Sequence, residues 1–281
     1  MKTRLSVSID SRLASRLDSA SAGGSRSAVV ERALGAFLSA NATGVILAGG
    51  PARNLFVGEV GQYRPLVQIG KEDGKETPVQ NILGRFAQAG IGRALVVGSR
   101  EVNAAIFSRL GGGPVSGVSL EFIEEKEHGG SLHTLSLALP RAGSEFAFAA
   151  CDHYLGFSLR ELREFHERAG NPLTLGVYAG TAFEWSKTSV VRMQGSIIEK
   201  YWERPQKPES HIVSTMAGFA NADAFYGMKM EGSIEAAFEK LAGRGMLHGF
   251  IVQGDFVNIH SRRDAETAGR LLHRQPLDFG H

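Results

Sequence analysis

Five apolar runs punctuate the chain: GVILA (44–48), RALVVG (93–98), LEFIEE (120–125), FAFAAC (146–151) and LTLGVY (173–178). Between them apolar residues recur at helical spacing, around 78–90, 100–110, 131–139 and 158–169. This alternation constrains the fold more than any other feature. It predicts an α/β sandwich, a mostly parallel sheet covered by helices on both faces. Ligands of such sheets lie at the carboxyl ends of the strands, so the residues just after each run are the candidates for chemistry.

At 281 residues and 43% hydrophobic content, the chain can build one sizeable core with room for a small second module. No run of about 18 apolar residues occurs, which argues against a membrane span. The start, MKTRLSVSIDSRL, lacks the apolar block of a secretory signal. A single cysteine, Cys151, excludes an internal disulfide framework and fits a reducing cytoplasm. Charge is unevenly spread. Residues 1–40 hold six basic side chains against three acidic ones, and the remainder is near neutral. Two modules with different partners are expected, 1–40 and 44–281.

In the first module Leu5, Val7 and Ile9 alternate with Arg4, Ser6 and Ser8, the period of a half-covered strand. From Asp10 the spacing becomes helical, with Asp10 or Ser11 as cap and Gly23-Gly24 as stop. Ser25 caps a second helix with Val29, Val30, Ala33, Leu34 and Phe37-Leu38 on its apolar face. One strand and two short helices cannot bury enough surface alone; two copies pairing their strands would. The segments RLSVSID and GGSRSAVVERALGAFL resemble the ribbon-helix-helix DNA-binding family over the whole module. That resemblance implies a dimer in which Arg4, Ser6 and Ser8 face base edges in the major groove. Ser25 and Arg26, opening the second helix, would hold a DNA phosphate. A module that only dimerises the chain is the open alternative.

In the second module the familiar phosphate loops are missing. Gly70-Lys71 and Gly74-Lys75 are followed by Glu72 and Glu76, so no hydroxyl follows the lysine as a P-loop requires. No GxGxxG follows the first strand, and CxxC, HExxH and GxSxG are absent. Instead LAGGPARNL, YRPLVQIG, EEKEHGGSLHTL, FAACD and WERPQKP follow one another in order. Together they resemble the sugar-phosphate nucleotidylyltransferases from about Gly44 to Ala268. The resemblance implies a Rossmann-like nucleotidyltransferase sheet sandwiched by helices.

It also implies roles. Leu47, Ala48, Gly49 and Gly50 would let the backbone approach a nucleotide, with Arg53 neutralising its phosphates. The family's arginine falls one position later, where this chain has Asn54, and its next glycine is Ala52. Arg64 and Arg204 stand where the family has phosphate-binding lysines, an exchange of a point charge for a planar fork. Glu125 aligns with a base-reading glutamine, and as an acceptor it suits guanine N–H groups or the cytosine amine. Gly130 and Ser131 open a helix toward an anion. Asp152 would anchor Mg²⁺, with Asn258 as second ligand and Asp255 as its nearby substitute. Glu203, Gly218 and Asn221 would face the acceptor.

The expected reaction moves an NMP from an NTP onto a phosphorylated small molecule and releases pyrophosphate. Catalysis would come from positioning and charge neutralisation. Three readings remain: an active enzyme fused to a DNA-binding head, a nucleotide-sensing transcriptional regulator with altered catalysis, and an enzyme whose head is a dimer clasp. A homodimer or higher homo-oligomer is the minimum assembly for the head.

Overall fold

A computed structural model describes residues 6–21, 24–40, 42–70, 76–180 and 188–272. The chain divides into two compact units, Met1–Asn41 and Ala42–His281.

The small unit holds helices α1 (Ser11–Ala20) and α2 (Arg26–Ala40). Asp10 caps α1, its carboxylate accepting from the Arg12 and Leu13 amides. Arg26 at the start of α2 is ion-paired with Asp18 of α1. The strand expected over Leu5–Ile9 is not formed within one chain: residues 6–10 carry no ladder, and Arg4 and Leu5 lie outside the described residues. A lone ribbon strand has no neighbour to accept its backbone hydrogen bonds. No residue of α1 is buried.

The large unit is built on β1 (Thr43–Ala48), whose every residue is buried. A short turn of helix, α3 (Ala52–Leu55), and the hairpin β2 (Phe56–Val57) and β3 (Gln62–Tyr63) follow. Helix α4 (Pro78–Gln88) starts on a reciprocal cap between Thr77 and Gln80, with proline at its first position. Then come β4 (Arg93–Gly98), α5 (Arg100–Leu110), β5 (Ser119–Glu124), α6 (Ser131–Ala142), β6 (Glu145–Ala150), β7 (His153–Phe157), α7 (Leu159–Ala169) and β8 (Leu173–Ala179). The second half adds β9 (Val190–Gln194), β10 (Ile197–Trp202), β11 (Ile212–Asn221), α8 (Ile234–Gly243), β12 (Leu247–Ile251), β13 (Gly254–Asn258) and α9 (Arg262–Leu272).

Among the described residues nine strands form one sheet in the order β5-β4-β1-β6-β11-β8-β12-β10-β9. Pairs β4–β5, β1–β4, β1–β6 and β8–β12 are parallel. The sheet is nonetheless mixed, which corrects the mostly parallel expectation. β11 runs antiparallel to both β6 and β8, and β10 runs antiparallel to β9 and β12. A strand covered on both faces gives the same apolar run in either direction, so composition carries no sign of its sense.

Alternation along β1 shows how the layers form. Ile46 and Ala48 join the cluster under α4, α5 and α7, with Phe86, Ile106 and Leu162. Val45 and Leu47 join the cluster on the opposite face, with Leu135 of α6 and Phe238 of α8. A third, smaller cluster under α9 contains Ile69, Tyr154 and Ile259, beside the two-stranded ribbon β7–β13.

Candidate active site

A cavity of about 240 Å³ opens where β1 and β6 end at their carboxyl sides. Its floor is Leu47 of β1 with Gly49 and Gly50 just after it, and Ala150 of β6 with Asp152 and His153 just beyond. Gly130, Ser131 and Thr134 contribute the opening turn of α6. Arg64, from the 3-10 turn Arg64–Leu66, and Phe256, Asn258 and His260, from β13 and the residues after it, close one side. Thr188, Ser189, Ser214, Met216, Arg204 and Glu235 close the other.

The glycine turn is held from behind. Gly50 N–H donates to Glu125 Oε2 at 2.5 Å, and Thr134 Oγ1 donates to Glu125 Oε1 at 2.6 Å. His128 Nδ1 lies 3.3 Å from the same carboxylate, which is 2% exposed. A Cβ on Gly49 would stand 2.0 Å from Thr134 Oγ1, so only glycine lets β1 approach α6 this closely. At Gly130, φ is +93° and a Cβ would meet the Gly232 carbonyl at 2.3 Å. That approach joins α6 to the loop before α8: Leu132 N–H donates to Gly232 O, Gly232 N–H to Gly129 O, and Ile234 N–H to Ser131 Oγ.

Asp152 sits just past β6, 8% exposed, with Oδ2 accepting from Arg64 Nη1 at 3.2 Å and Oδ1 3.6 Å from His153 Nε2. His153 is fixed by Nδ1 on the Thr215 carbonyl at 2.8 Å and by its edge-on ring contact with Phe256. Burial lowers the pKa of His153 below the ordinary histidine value, against the pull of Asp152, so it stays neutral. Burial, reinforced by Asp152, pushes the Cys151 thiol well above its usual range, which leaves it an inert spacer.

Two lining residues have left-handed backbones, Arg204 (φ +45°) and Met216 (φ +51°). Neither is glycine, and such strain persists where surrounding structure enforces it. Met216 lies in the bulge where the β11 register with β8 shifts between Ser214 and Gly218. Glu235, in the first turn of α8, is half-buried, with Ser131 Oγ 3.5 Å away. Desolvation raises its carboxyl pKa, and Glu203 adds to the rise.

The structure thus brings together Leu47, Gly49, Gly50, Arg64, Gly130, Ser131, Asp152, Arg204 and Asn258. Ala48 is buried beside them, and Arg53 is exposed on α3, outside the lining. Glu125 is behind the turn rather than in the wall. Glu203 accepts from Ser233 Oγ at 3.2 Å, Gly218 is buried in β11, and Asn221 donates to the Asn171 carbonyl, all outside the lining. Asp255 is outside it as well. Sequence reasoning missed Thr134, His153, Met216, Glu235 and His260. Thr134 lies three residues after Ser131, and His260 two residues after Asn258.

Among the described residues no group of three or more His, Cys, Asp or Glu side chains is arranged to hold a metal ion. Donors for one are nonetheless present. Asn258 Oδ1 is a buried oxygen with no partner among the described residues, in the same cavity as the Asp152 carboxylate. One carboxylate, one amide oxygen and substrate phosphates fit the oxygen-rich environment Mg²⁺ takes.

A glycine turn and a carboxylate at the strand ends of a mixed α/β sheet thus share one cavity with two arginines. Residues 43–247 match the family model described as nucleotidyl transferase, and the chain belongs to that family of nucleotidyltransferases. Solved structures of the same fold include a protein described as a glucose-1-phosphate thymidylyltransferase from Bacillus anthracis in complex with sucrose. It is 19% identical with a TM-score of 0.73, covering 85% of this chain and 98% of that one. A UDP-glucose pyrophosphorylase complexed with UDP-glucose is 14% identical, TM-score 0.69, covering 84% and 100%. The inositol-1-phosphate CTP transferase from T. maritima is 18% identical, TM-score 0.64, covering 84% and 98%. Comparison with curated proteins finds no match to this chain. No helix among the described residues is long and apolar enough to cross a membrane.

Proposed function

We propose that the large unit transfers an NMP from an NTP to a phosphorylated small molecule of the sugar-phosphate kind. The observation that carries this reading is the Asp152–Arg64 pair set beside the glycine turn in one cavity. An acceptor phosphate oxygen attacks the α-phosphorus, the new O–P bond forms, and pyrophosphate leaves with the electron pair of the broken bond. Gly49, Gly50 and the α6 N-terminus face the nucleotide phosphates. Arg64 and Arg204 neutralise charge that gathers on the transferring group. Asp152 and Asn258 would hold Mg²⁺, which supplies charge neutralisation when bound. Glu235, Ser131, Ser189 and Ser214 present hydroxyl and carboxylate groups suited to a hydroxylated acceptor.

We further read the small unit as a head that pairs with a second copy and binds operator DNA. Support comes from its apolar residues Val7, Ile9, Leu13, Val30 and Leu34, all exposed within one chain. Together the two units describe a nucleotidyltransferase that regulates transcription.

Thermal unfolding with each NTP, with and without Mg²⁺, tests the enzyme reading. A nucleotide at 100 times its Kd adds about 2.7 kcal/mol, raising Tm by roughly 5–10 °C. Asp152→Asn is expected to lower turnover by about 100-fold or more in a pyrophosphate-release assay. Undiminished turnover would remove Asp152 from the mechanism.

A further inference from the structure

The stretch from Asn258 to His260 runs directly past Asp152: the Ile259 amide donates to the Asp152 carbonyl at 2.8 Å. The Ile259 side chain is fully buried in the cluster beneath, while Asn258 and His260 on either side of it both line the cavity. The backbone of His260 is fixed in turn, its amide donating to Asp264 Oδ2 at 2.9 Å. Two atoms of this stretch, Asn258 Oδ1 and His260 Nε2, are buried without a partner among the described residues. Buried polar atoms in native proteins are nearly always satisfied. Two left open in one wall, in the cavity that also holds the Asp152 carboxylate, describe a donor set that awaits an occupant. An amide oxygen, an imidazole nitrogen and a carboxylate attract a divalent cation.

We propose that His260 Nε2 is a direct ligand of the metal, beside Asp152 and Asn258, and that the site binds Mn²⁺ in preference to Mg²⁺. This rests on reading Asp152 as the metal anchor. Magnesium demands oxygen donors and accepts imidazole poorly, whereas manganese tolerates mixed nitrogen and oxygen sets. Replacing an all-oxygen set by one carboxylate, one neutral amide and one imidazole removes charge and adds a softer donor. Both changes favour the softer ion.

The test uses the whole chain, free of metal, with Mn²⁺ alone, since a nucleobase would bring nitrogen of its own. Loss of the free hexaaqua Mn²⁺ EPR signal measures affinity, Mg²⁺ competition measures preference, and electron spin-echo modulation detects nitrogen bound to the ion. Expected are nitrogen modulation from one imidazole and an affinity for Mn²⁺ on the order of tenfold above that for Mg²⁺. His260→Ala should abolish the modulation and weaken Mn²⁺ by about tenfold, leaving Mg²⁺ affinity nearly unchanged. Mn²⁺ bound without nitrogen modulation, or not bound at all, overturns the proposal in the unmutated protein, whatever the variant's folding. Modulation that survives in His260→Ala also overturns it, pointing instead to His153. The outcome is separable from the enzyme reading: NTP-dependent stabilisation with nitrogen-free Mn²⁺ sinks only the ligand assignment. Nitrogen-bound Mn²⁺ without any NTP response sinks only the transfer reaction.

Discussion

The two units treat apolar residues in opposite ways. In the large one, β1, most of β4 and the inner faces of α4 and α6 are sealed within a single chain, and Val45, Ile46 and Phe86 have no exposure. In the small one, Val7 is 66% and Leu13 50% exposed, and α1 buries nothing. The large unit contains everything its fold needs, whereas the small unit has a face but no partner for it. The lesson is that one unit covers its apolar residues within a single chain while the other leaves several of them exposed.

The sharpest way to break this contrast is removal of residues 1–40. Light scattering is expected to show loss of the dimer outright, while NTP-dependent stabilisation of the remaining body persists. A truncated protein that stays dimeric would place the interface in the body. Leu34→Glu probes the same point in the intact chain. On a free surface it would change stability by less than about 0.5 kcal/mol, whereas in a paired head it should cost about 2 kcal/mol or more and make dimerisation concentration-dependent.

Within the body the expected effects are smaller. Gly49→Ala drives a methyl into Thr134 and Glu125, and should destabilise by about 1–3 kcal/mol while weakening nucleotide binding. Urea unfolding with and without NTP separates the two losses. The mildest change is Glu235→Gln. Desolvation raises the Glu235 pKa, so the folded state holds this proton more tightly than the unfolded chain. Its contribution to stability is therefore full below the unfolded value near 4.5 and is lost as pH rises through the raised folded value. The glutamine variant should match wild type in acid and exceed it by about 2 °C at neutral pH, with weaker acceptor binding. Parallel Tm–pH curves would show that Glu235 is not buried enough to matter.

The same contrast explains what could be read from the chain beforehand. Strand β4 was legible to the residue because a doubly covered strand writes its burial as an unbroken run, RALVVG. Helices α5 and α7 were legible because apolar residues recur at helical spacing around 100–110 and 158–169, and the structure shows Ser99 and Ser158 capping them. The reversed β11 was not, since burial on both faces is blind to direction. Asp152 was placed by the family resemblance, at the end of the run FAFAAC where ligands of such sheets gather. Glu125 was found by its alignment with the family's base-reading glutamine, but an alignment does not tell which way a carboxylate turns, and this one turns back to Gly50 and Thr134. Glu235 and His260 were invisible because partners some 100 residues away give them their meaning, through Ser131 and Asp152.

The backbone seam between Gly129–Leu132 and Gly232–Ile234 has a consequence for how the two substrates sense each other. Ser131 Oγ receives the Ile234 amide at 2.8 Å, one residue before Glu235, so the wall proposed for the nucleotide and the one proposed for the acceptor share a few hydrogen bonds. In the proposed reaction, a ligand that draws the α6 N-terminus inward would shift Glu235 through these bonds. Affinity for NTP and affinity for acceptor are then linked, and the linkage is equal in both directions. In such an arrangement order of binding is a property of the seam, and loosening it would uncouple two substrates whose own contacts remained intact.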